Sequence, residues 1–548
     1  MKRIRFLALI AAIAFFLMLP FAMRGYRGDD FQFHFSSWTG LRQAWLAGDF
    51  MPGWDGLANY TLGDPRFCFY PPLSLWLGAL LSTILPIGLA PAAFVCLALV
   101  LSALSMYAAS ESLEEKRDRS LAAILYMVSP YLLVTAITRF AVAELLVLAW
   151  LPLIVLYFVR ATTNRDRLST LLLGFLLALT WLTNLPASLV LAYVLFFVTV
   201  IASIHQRSAK ALIHFLAAES IAILISAFYL VPAFFEKRWI TTSALLHHNF
   251  RDYFIFGSIS SLHRRLFELG FWLITTVEIA VVVACVVSRG RKADSRHRLL
   301  YELAAVAFLF ELPVTAVLWL YLPELRFVQF PFRFLSIIGA VLPLIVLGGR
   351  VNRKLVITAC GLTALLALLP LASYLRIAPV ASMGLPDHAA IIQQGYPGTE
   401  EYTPTGAVTL NSPVALAPVS VANDSPGARC KLASLSNGPR LKLISVDTDS
   451  LCRVRFATYF YPYWQAEDET GNVLQTSRDD AGLLVVAVPK GRHTVQIRFH
   501  VYSAVRMNSM AVSLFAFLTL LLGLWKYSRS DAPKSHTGDT LPLARAAI

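Results

Sequence analysis

Charge is what this sequence has least of. Only 15% of its 548 residues are charged, against 57% hydrophobic, and the mean hydropathy is +0.63. A soluble domain carries about a quarter charged residues, so a soluble protein is excluded and a polytopic membrane protein is indicated. The net charge of +14 would suggest nucleic acid in a soluble chain. In a membrane protein it reflects lysine and arginine gathered in cytoplasmic loops, and nucleic acid is set aside as a partner. Cysteine is scarce too, and four of the six (Cys68, Cys96, Cys285, Cys360) are scattered through the first part. No group has a ligand spacing that demands a metal, although Asp29, Asp30 and His34 leave a divalent ion conceivable. No matching halves of the kind transporters carry are detectable. No small-residue cleavage site follows the first apolar run, which therefore reads as a retained anchor.

What is present is a series of apolar runs, about twelve of them near the roughly 20 residues that cross a bilayer as a helix. The first, Phe6 to Met23, follows "MKRIR", which puts the N-terminus in the cytoplasm. Basic stretches recur after every second span: "SLEEKRDRS", with Lys116, Arg117 and Arg119, then "RATTNRDR", "HQRSAK", "SRGRKADSRHR", "GGRVNRK" and the tail "KYSRSDAPK". By that alternation, residues 1–374 form a helical membrane domain with a first periplasmic loop at 24–71. Residues 375–505 form a periplasmic domain, 506–526 a last span and 527–548 a cytoplasmic tail. The 375–505 segment has turn residues in "NDSPG" and "DETGN" and alternating runs such as "RLKLISV" and "CRVRFATYF", which predict a small β-sandwich. Cys430 and Cys452 share that compartment, so a disulfide between them is permitted.

The same alternation places five stretches outside: "GDDFQFHF", "FCFYPPLSL", "ITRFAVAEL", "LPELRFVQFPFRFL" and the β-rich segment. Distant pieces build one site only if they share a compartment, and these do. In order along the chain stand the Asp29–Asp30 pair, "WDGLANYTLGDPRFCFYPPLSLWL", "SPYLLVTAITRFAVAELLVLAWLPL", "VQFPFRFL", "EYTP" and "FYPYWQAEDETGNVL". This series resembles the bacterial YfhO-like membrane proteins, also called 6-pyruvoyl-tetrahydropterin synthase-related, of the GT-C glycosyltransferase superfamily. The resemblance covers nearly the whole chain. It implies a GT-C fold in the inner membrane, with a catalytic acid in the first external loop and a site facing the periplasm. It also implies transfer of a sugar from a polyprenyl-phosphate donor to a cell-envelope glycan or lipid acceptor, among membrane lipids.

That chemistry needs a carboxylate to take the acceptor's proton and cations to meet the departing phosphate. Asp29 or Asp30 is the candidate base, and the other is a candidate N-cap for a helix starting near Phe31. His34, a turn later, could bond the Asp, meet a phosphate or lie at the membrane interface. Arg139 and Glu144 are five positions apart, about 140° around a regular helix, so they are not expected to pair with each other. Arg139 could hold a lipid phosphate and Glu144 a sugar hydroxyl, or each could pair with a neighbouring helix. Pro331 predicts a helix starting at or after it, with Arg333 in the first turn, either binding phosphate or snorkelling to headgroups. Arg326 is a weaker second. Tyr70 is kept among the substrate-binding candidates, while Pro71 and Pro72 end the loop and aim a short apolar segment. Asn184, at an external helix end, could touch substrate but reads first as a helix cap. Glu278 and Glu311, near the centres of apolar runs, are what a transporter or lipid flippase would use as relays. A non-catalytic envelope scaffold would need neither them nor the Asp pair.

Overall fold

The computed structural model describes residues 2–26, 28–113, 119–257, 262–289, 294–348, 351–376, 388–422 and 429–530. Lys116 and Arg117 of the first basic loop, and most of the basic tail, lie outside them. Among the described residues, six helices are long and apolar enough to cross a membrane, or nine if three bent helix pairs each count as one span. Shorter apolar helices such as Pro72–Ile84 and Pro331–Leu347 accompany them. Several runs that read as single spans from sequence are therefore broken or short. The breaks fall beside Pro130, at Ser226 and before Pro313; at the first and third, proline has no N–H for the previous turn and favours a first helical position. At the Ser226 break, where the two halves bend by 75°, Ser513 of the last helix accepts from Phe228 N (2.8 Å) and donates to Leu224 O (3.1 Å). A hydroxyl from a neighbour thus serves the groups that the bend frees.

The helix Val142–Thr163 is apolar all round except for Glu144 in its first turn and Arg160 in its last, and such a helix belongs in a core. It is 83% buried, whereas the last helix is only 17% buried and faces the surroundings. At 1.5 Å per residue this 22-residue helix is about 33 Å long, so its two ends are far apart. At its C-terminal end, Arg165 donates to Gln206 (2.7 Å), and His205 pairs with Glu302 (3.4 Å). These contacts gather the basic loops that follow alternate spans at one end of the bundle. The candidate site residues lie at the other.

Nine strands follow among the described residues: β1 Val419–Val421, β2 Cys430–Asn437, β3 Leu441–Thr448, β4 Cys452–Tyr459, β5 Trp464–Glu467, β6 Val473–Leu474, β7 Thr476–Arg478, β8 Leu483–Val488 and β9 Gly491–Phe499. They form two antiparallel sheets, ordered β1-β4-β8-β7 and β2-β3-β9-β5-β6. Alternation turns Ile444, Val446, Val454, Phe456, Val486, Val495 and Ile497 inward, and they fill the core of a sandwich. Cys430 and Cys452 are disulfide-bonded, joining β2 of one sheet to β4 of the other. The bond closes a loop with a sequence separation of 22, for which chain entropy gives about 3 kcal/mol. Paired Cys430→Ser and Cys452→Ser substitutions should therefore lower the Tm of the wild-type protein, and reductant should lower the wild-type Tm alone; a variant as stable as wild type would contradict this.

The first loop completes the sandwich. Trp54, Leu62, Cys68 and Phe69 share its core, with Trp54 against Trp464 (5.5 Å) and Phe499 (5.1 Å). Leu62 O accepts from Tyr459 N (2.8 Å) and Thr458 Oγ1 (3.0 Å). Each large buried aromatic of this kind contributes about 2–3 kcal/mol, so the loop and sandwich hold each other in place.

Candidate active site

The residues flagged before the first helix of the loop converge with those flagged in mid-chain. The helix Phe31–Leu46 starts where sequence put it, with Asp30 at the N-cap position, but the Asp30 side chain makes no capping hydrogen bond. Its carboxyl is instead turned to a charged neighbourhood. Asp30 N donates to Arg139 O (3.1 Å). Gly28, at φ +135°, passes so close that a Cβ there would sit 2.6 Å from Phe140 Cβ; only glycine fits such an approach. Burial raises the Asp30 carboxyl above the ordinary carboxylate value, while Arg139 and Arg333 pull it down and Asp29 and Glu144 push it up. Asp29 is exposed and Asp30 half-buried, so the two adjacent acids point into different surroundings.

Arg139 and Glu144 do pair, contrary to the regular-helix expectation: Nη1 lies 3.0 Å from Oε2 and both side chains are 4% exposed. The backbone between them is not an α-helix. A π-turn runs from Val134 to Thr138, Phe140 takes a left-handed φ of 52°, and a new helix begins at Val142. That break removes the 140° offset and swings the guanidinium back to the acid. Arg333 also turns inward rather than snorkelling. It is buried in a 3₁₀ turn, Pro331–Phe334, with the α-helix following at Leu335. Its Nε stands 3.4 Å from Glu144 Oε2 and its Nη1 donates to Val328 O (2.8 Å). Glu144 therefore serves two arginines and also accepts from the Tyr131 hydroxyl. Sequence reasoning missed Tyr131; its signal was a phenolic hydroxyl in "SPYLL", one helical stretch before the ion pair.

Of the other candidates, Tyr70 borders the centre, within electrostatic reach of Asp30 and Arg333, and the rest fall outside it. His34 is 1% exposed, among Phe33, Trp38 and Tyr70. Burial pushes its imidazole down to about 3, which keeps it neutral among these rings. Tyr70 is half-buried between His34 and Phe33 on one side and Tyr402 on the other. Arg326 is exposed and joins nothing in the centre. Asn184 is a cap, accepting from Ala187 N at 2.9 Å. Glu278 lies inside its helix, and Glu311 sits at the break within the bent pair Ser295–Phe310 and Pro313–Tyr321. No cluster of three His, Cys, Asp or Glu suited to a metal occurs among the described residues.

A family model described as "6-pyruvoyl-tetrahydropterin synthase related domain; membrane protein" matches residues 67–380. The chain belongs to this family. The matched stretch contains Arg139, Glu144 and Arg333 and stops short of the Asp pair on the N-terminal side. Comparison with curated sequences finds no match. Among solved structures, this 6-pyruvoyl-tetrahydropterin synthase-related protein is similar to the mycobacterial arabinofuranosyltransferase AftD (TM-score 0.41, 20% identity, covering 68% of this chain and 27% of that one). It is also similar to the Archaeoglobus fulgidus oligosaccharyltransferase (0.41, 14%, 75% and 61%). A third similarity is to ArnT from Cupriavidus metallidurans bound to undecaprenyl phosphate (0.28, 16%, 62% and 77%). The chain thus spans about a quarter of AftD.

This family member carries a second buried ionic group that its sequence did not advertise, inside "WDGLANYTLGDPR". Arg66 grips Asp64 with two bonds (2.8 and 2.7 Å), reaches Ser37 (3.2 Å) and stands 3.7 Å from Asp55. Its guanidinium also lies over the rings of Phe33 and Tyr396. Asp55 in turn accepts from Tyr396, at the root of the sandwich, and from Leu57 N. This group ties the helix headed by Asp30 to the first loop and the sandwich. The signal was three charges in a Gly/Pro-rich loop that has no reason to bury them unless they meet.

Burial, with Asp64 adding to it, pushes the Asp55 carboxyl up to about 6 in spite of Arg66. A carboxyl raised on folding favours the protonated fold. Its contribution is complete below the ordinary value of 3.8 and is lost as pH rises through about 6, a difference worth about 3 kcal/mol. The Tm should carry a falling component between those pH values that Asp55→Asn abolishes, and parallel Tm profiles for wild type and variant would refute the assignment.

Proposed function

We propose that this protein is a membrane glycosyltransferase of GT-C type, transferring a sugar from a polyprenyl-phosphate donor to an envelope glycan or lipid acceptor. One observation carries the reading. A half-buried carboxyl, Asp30, lies in the field of two buried arginines, Arg139 and Arg333, that share a single buried acid, Glu144. Asp30 takes the proton of the acceptor hydroxyl as that oxygen attacks the sugar. The guanidinium groups meet the charge that grows on the departing phosphate, for which their planar donor sets are suited. Glu144 and Tyr131 hold those groups in register. The basic loops gather at the opposite end of the bundle. By the positive-inside rule, that supports an inner-membrane protein with cytoplasmic termini and the acid–arginine centre facing the periplasm.

The experiment is to supply purified protein with a panel of polyprenyl-phosphate sugars, following both donor binding and release of polyprenyl phosphate. One donor should bind and turn over. A panel in which no donor binds or reacts would overturn the reading.

A further inference from the structure

A cavity of about 60 Å³ lies where the sandwich meets the membrane domain. At about 10–15 Å³ for each water-sized group, it has room for about four chain carbons. Its wall includes Leu75 and Trp76 of the helix Pro72–Ile84, Tyr229 beyond the Ser226 break, Val501 at the end of the sandwich, and Arg506 and Met510 of the last helix. Among the described residues the only charge in that wall is Arg506, and Glu236 already meets it at 2.7 Å. With its one charge balanced, the cavity calls for no anion. The rest of the wall is mostly hydrocarbon and aromatic ring, which takes an apolar chain out of water favourably. The candidate span Ala504–Tyr527 begins at this wall, and Trp76 and Tyr502 supply the aromatic residues of a membrane–water boundary. The cavity thus stands at the depth where a lipid's headgroup joins its chain.

Tyr70 belongs both to this wall and to the border of the acid–arginine centre. It lines the cavity, and its ring lies 5.0 Å from that of Phe33 and 5.8 Å from that of His34, both in the first turn of the helix that Asp30 heads. It stands within electrostatic reach of Asp30 and, less strongly, of Arg333. The cavity therefore adjoins the side of the centre that holds the base. Arg333 and Glu144 line a separate cavity with Val147 and Val190 of the membrane helices, so the groups that meet the departing phosphate have other apolar ground beside them.

We infer that this cavity receives the hydrocarbon chain of the acceptor, which makes the acceptor a hydroxyl-bearing lipid rather than a free glycan. The inference rests on the glycosyltransferase reading. With a few carbons of the chain seated against Tyr70, the lipid's polar end lies toward Asp30. Its hydroxyl oxygen bonds to the anomeric carbon of the sugar as the bond from that carbon to the phosphate oxygen breaks. The proton passes to Asp30, and the electron pair leaves on the phosphate that the arginines meet. Anchoring the chain turns an encounter from solution into a step between groups already held together.

The test uses intact purified protein and a monoacylglycerol carrying a photoreactive diazirine in its acyl chain, with cross-links located by mass spectrometry. Label should reach Leu75, which is 2% exposed, and unlabelled monoacylglycerol at about ten times its dissociation constant should cut that labelling about tenfold. Polyprenyl phosphate should not displace it. Met510→Trp, which fills the cavity, should lower the labelling of Leu75 and leave that of the outward-facing Phe515 as in wild type. With the donor that wild type turns over, monoacylglycerol should accept sugar at least about tenfold faster than glycerol at equal concentration. Labelling confined to the outer surface, displacement by polyprenyl phosphate, or equal rates for the two acceptors would overturn the inference. Should Met510→Trp fail to fold, the wild-type competition and rates decide. Donor binding and polyprenyl phosphate release, measured without an added acceptor, report the glycosyltransferase reading alone, so its failure is told apart from failure of the cavity assignment.

Discussion

Asp30→Asn is expected to lower kcat by about 10²- to 10⁴-fold, the range that a positioned general base contributes, while donor affinity stays close to wild type. Asparagine keeps the shape of the side chain and its N-cap position but cannot take a proton. Asp29→Asn should cost far less, because Asp29 is exposed whereas Asp30 lies under the influence of both arginines. The wild-type pH profile adds a second check. With the Asp30 carboxyl raised by burial, activity should fall on the acid side at a pH above the ordinary carboxylate value. Equal losses in the two variants, or a donor that no longer binds Asp30→Asn, would show that the acid positions substrate rather than moving a proton.

Glu144→Gln should be the most destabilising single change at the site. It leaves Arg139 and Arg333 buried together with a neutral amide in place of their shared counter-charge. Uncompensated buried charge of this kind costs about 3–5 kcal/mol. The measurements are yield of monodisperse protein and Tm in detergent. The sharper test is the double substitution: removing one guanidinium with Arg333→Gln should recover part of the loss, because the two residues are in direct contact. If the double variant is no better than the sum of its parts, the three-way pairing contributes little to stability.

The helical membrane class, the sandwich and the start of the Asp30 helix were legible because each rests on local pattern: apolar run length, alternation and turn residues. The disulfide was permitted by two cysteines sharing one domain but not decided by it, since the approach of β2 to β4 is a tertiary outcome. Pairing of Arg139 with Glu144 was not legible, because counting residues around an ideal helix assumes the ideal helix. A π-turn and a left-handed phenylalanine are tertiary outcomes, made tolerable by packing against Gly28 and Asp30. The inward turn of Arg333 has a similar origin, since its destination, Glu144, lies 189 positions back in the chain. The burial of His34 was only partly legible: Phe33 and Trp38 stand beside it on the same helix, but Tyr70, which completes the enclosure, comes from farther along the loop.

The seam where Gly28 and Asp30 meet Arg139 and Phe140 is made of main-chain atoms: an amide, a carbonyl and the space left by a missing Cβ. The backbone spacing between the acid and the first arginine is therefore inherited from peptide geometry. Such a joint behaves like a machined stop in an instrument. Gly28 apart, side chains on both sides can be exchanged without detuning it, whereas one residue added to or removed from Val134–Phe140 would turn the guanidinium away and leave every chemical group present but out of alignment.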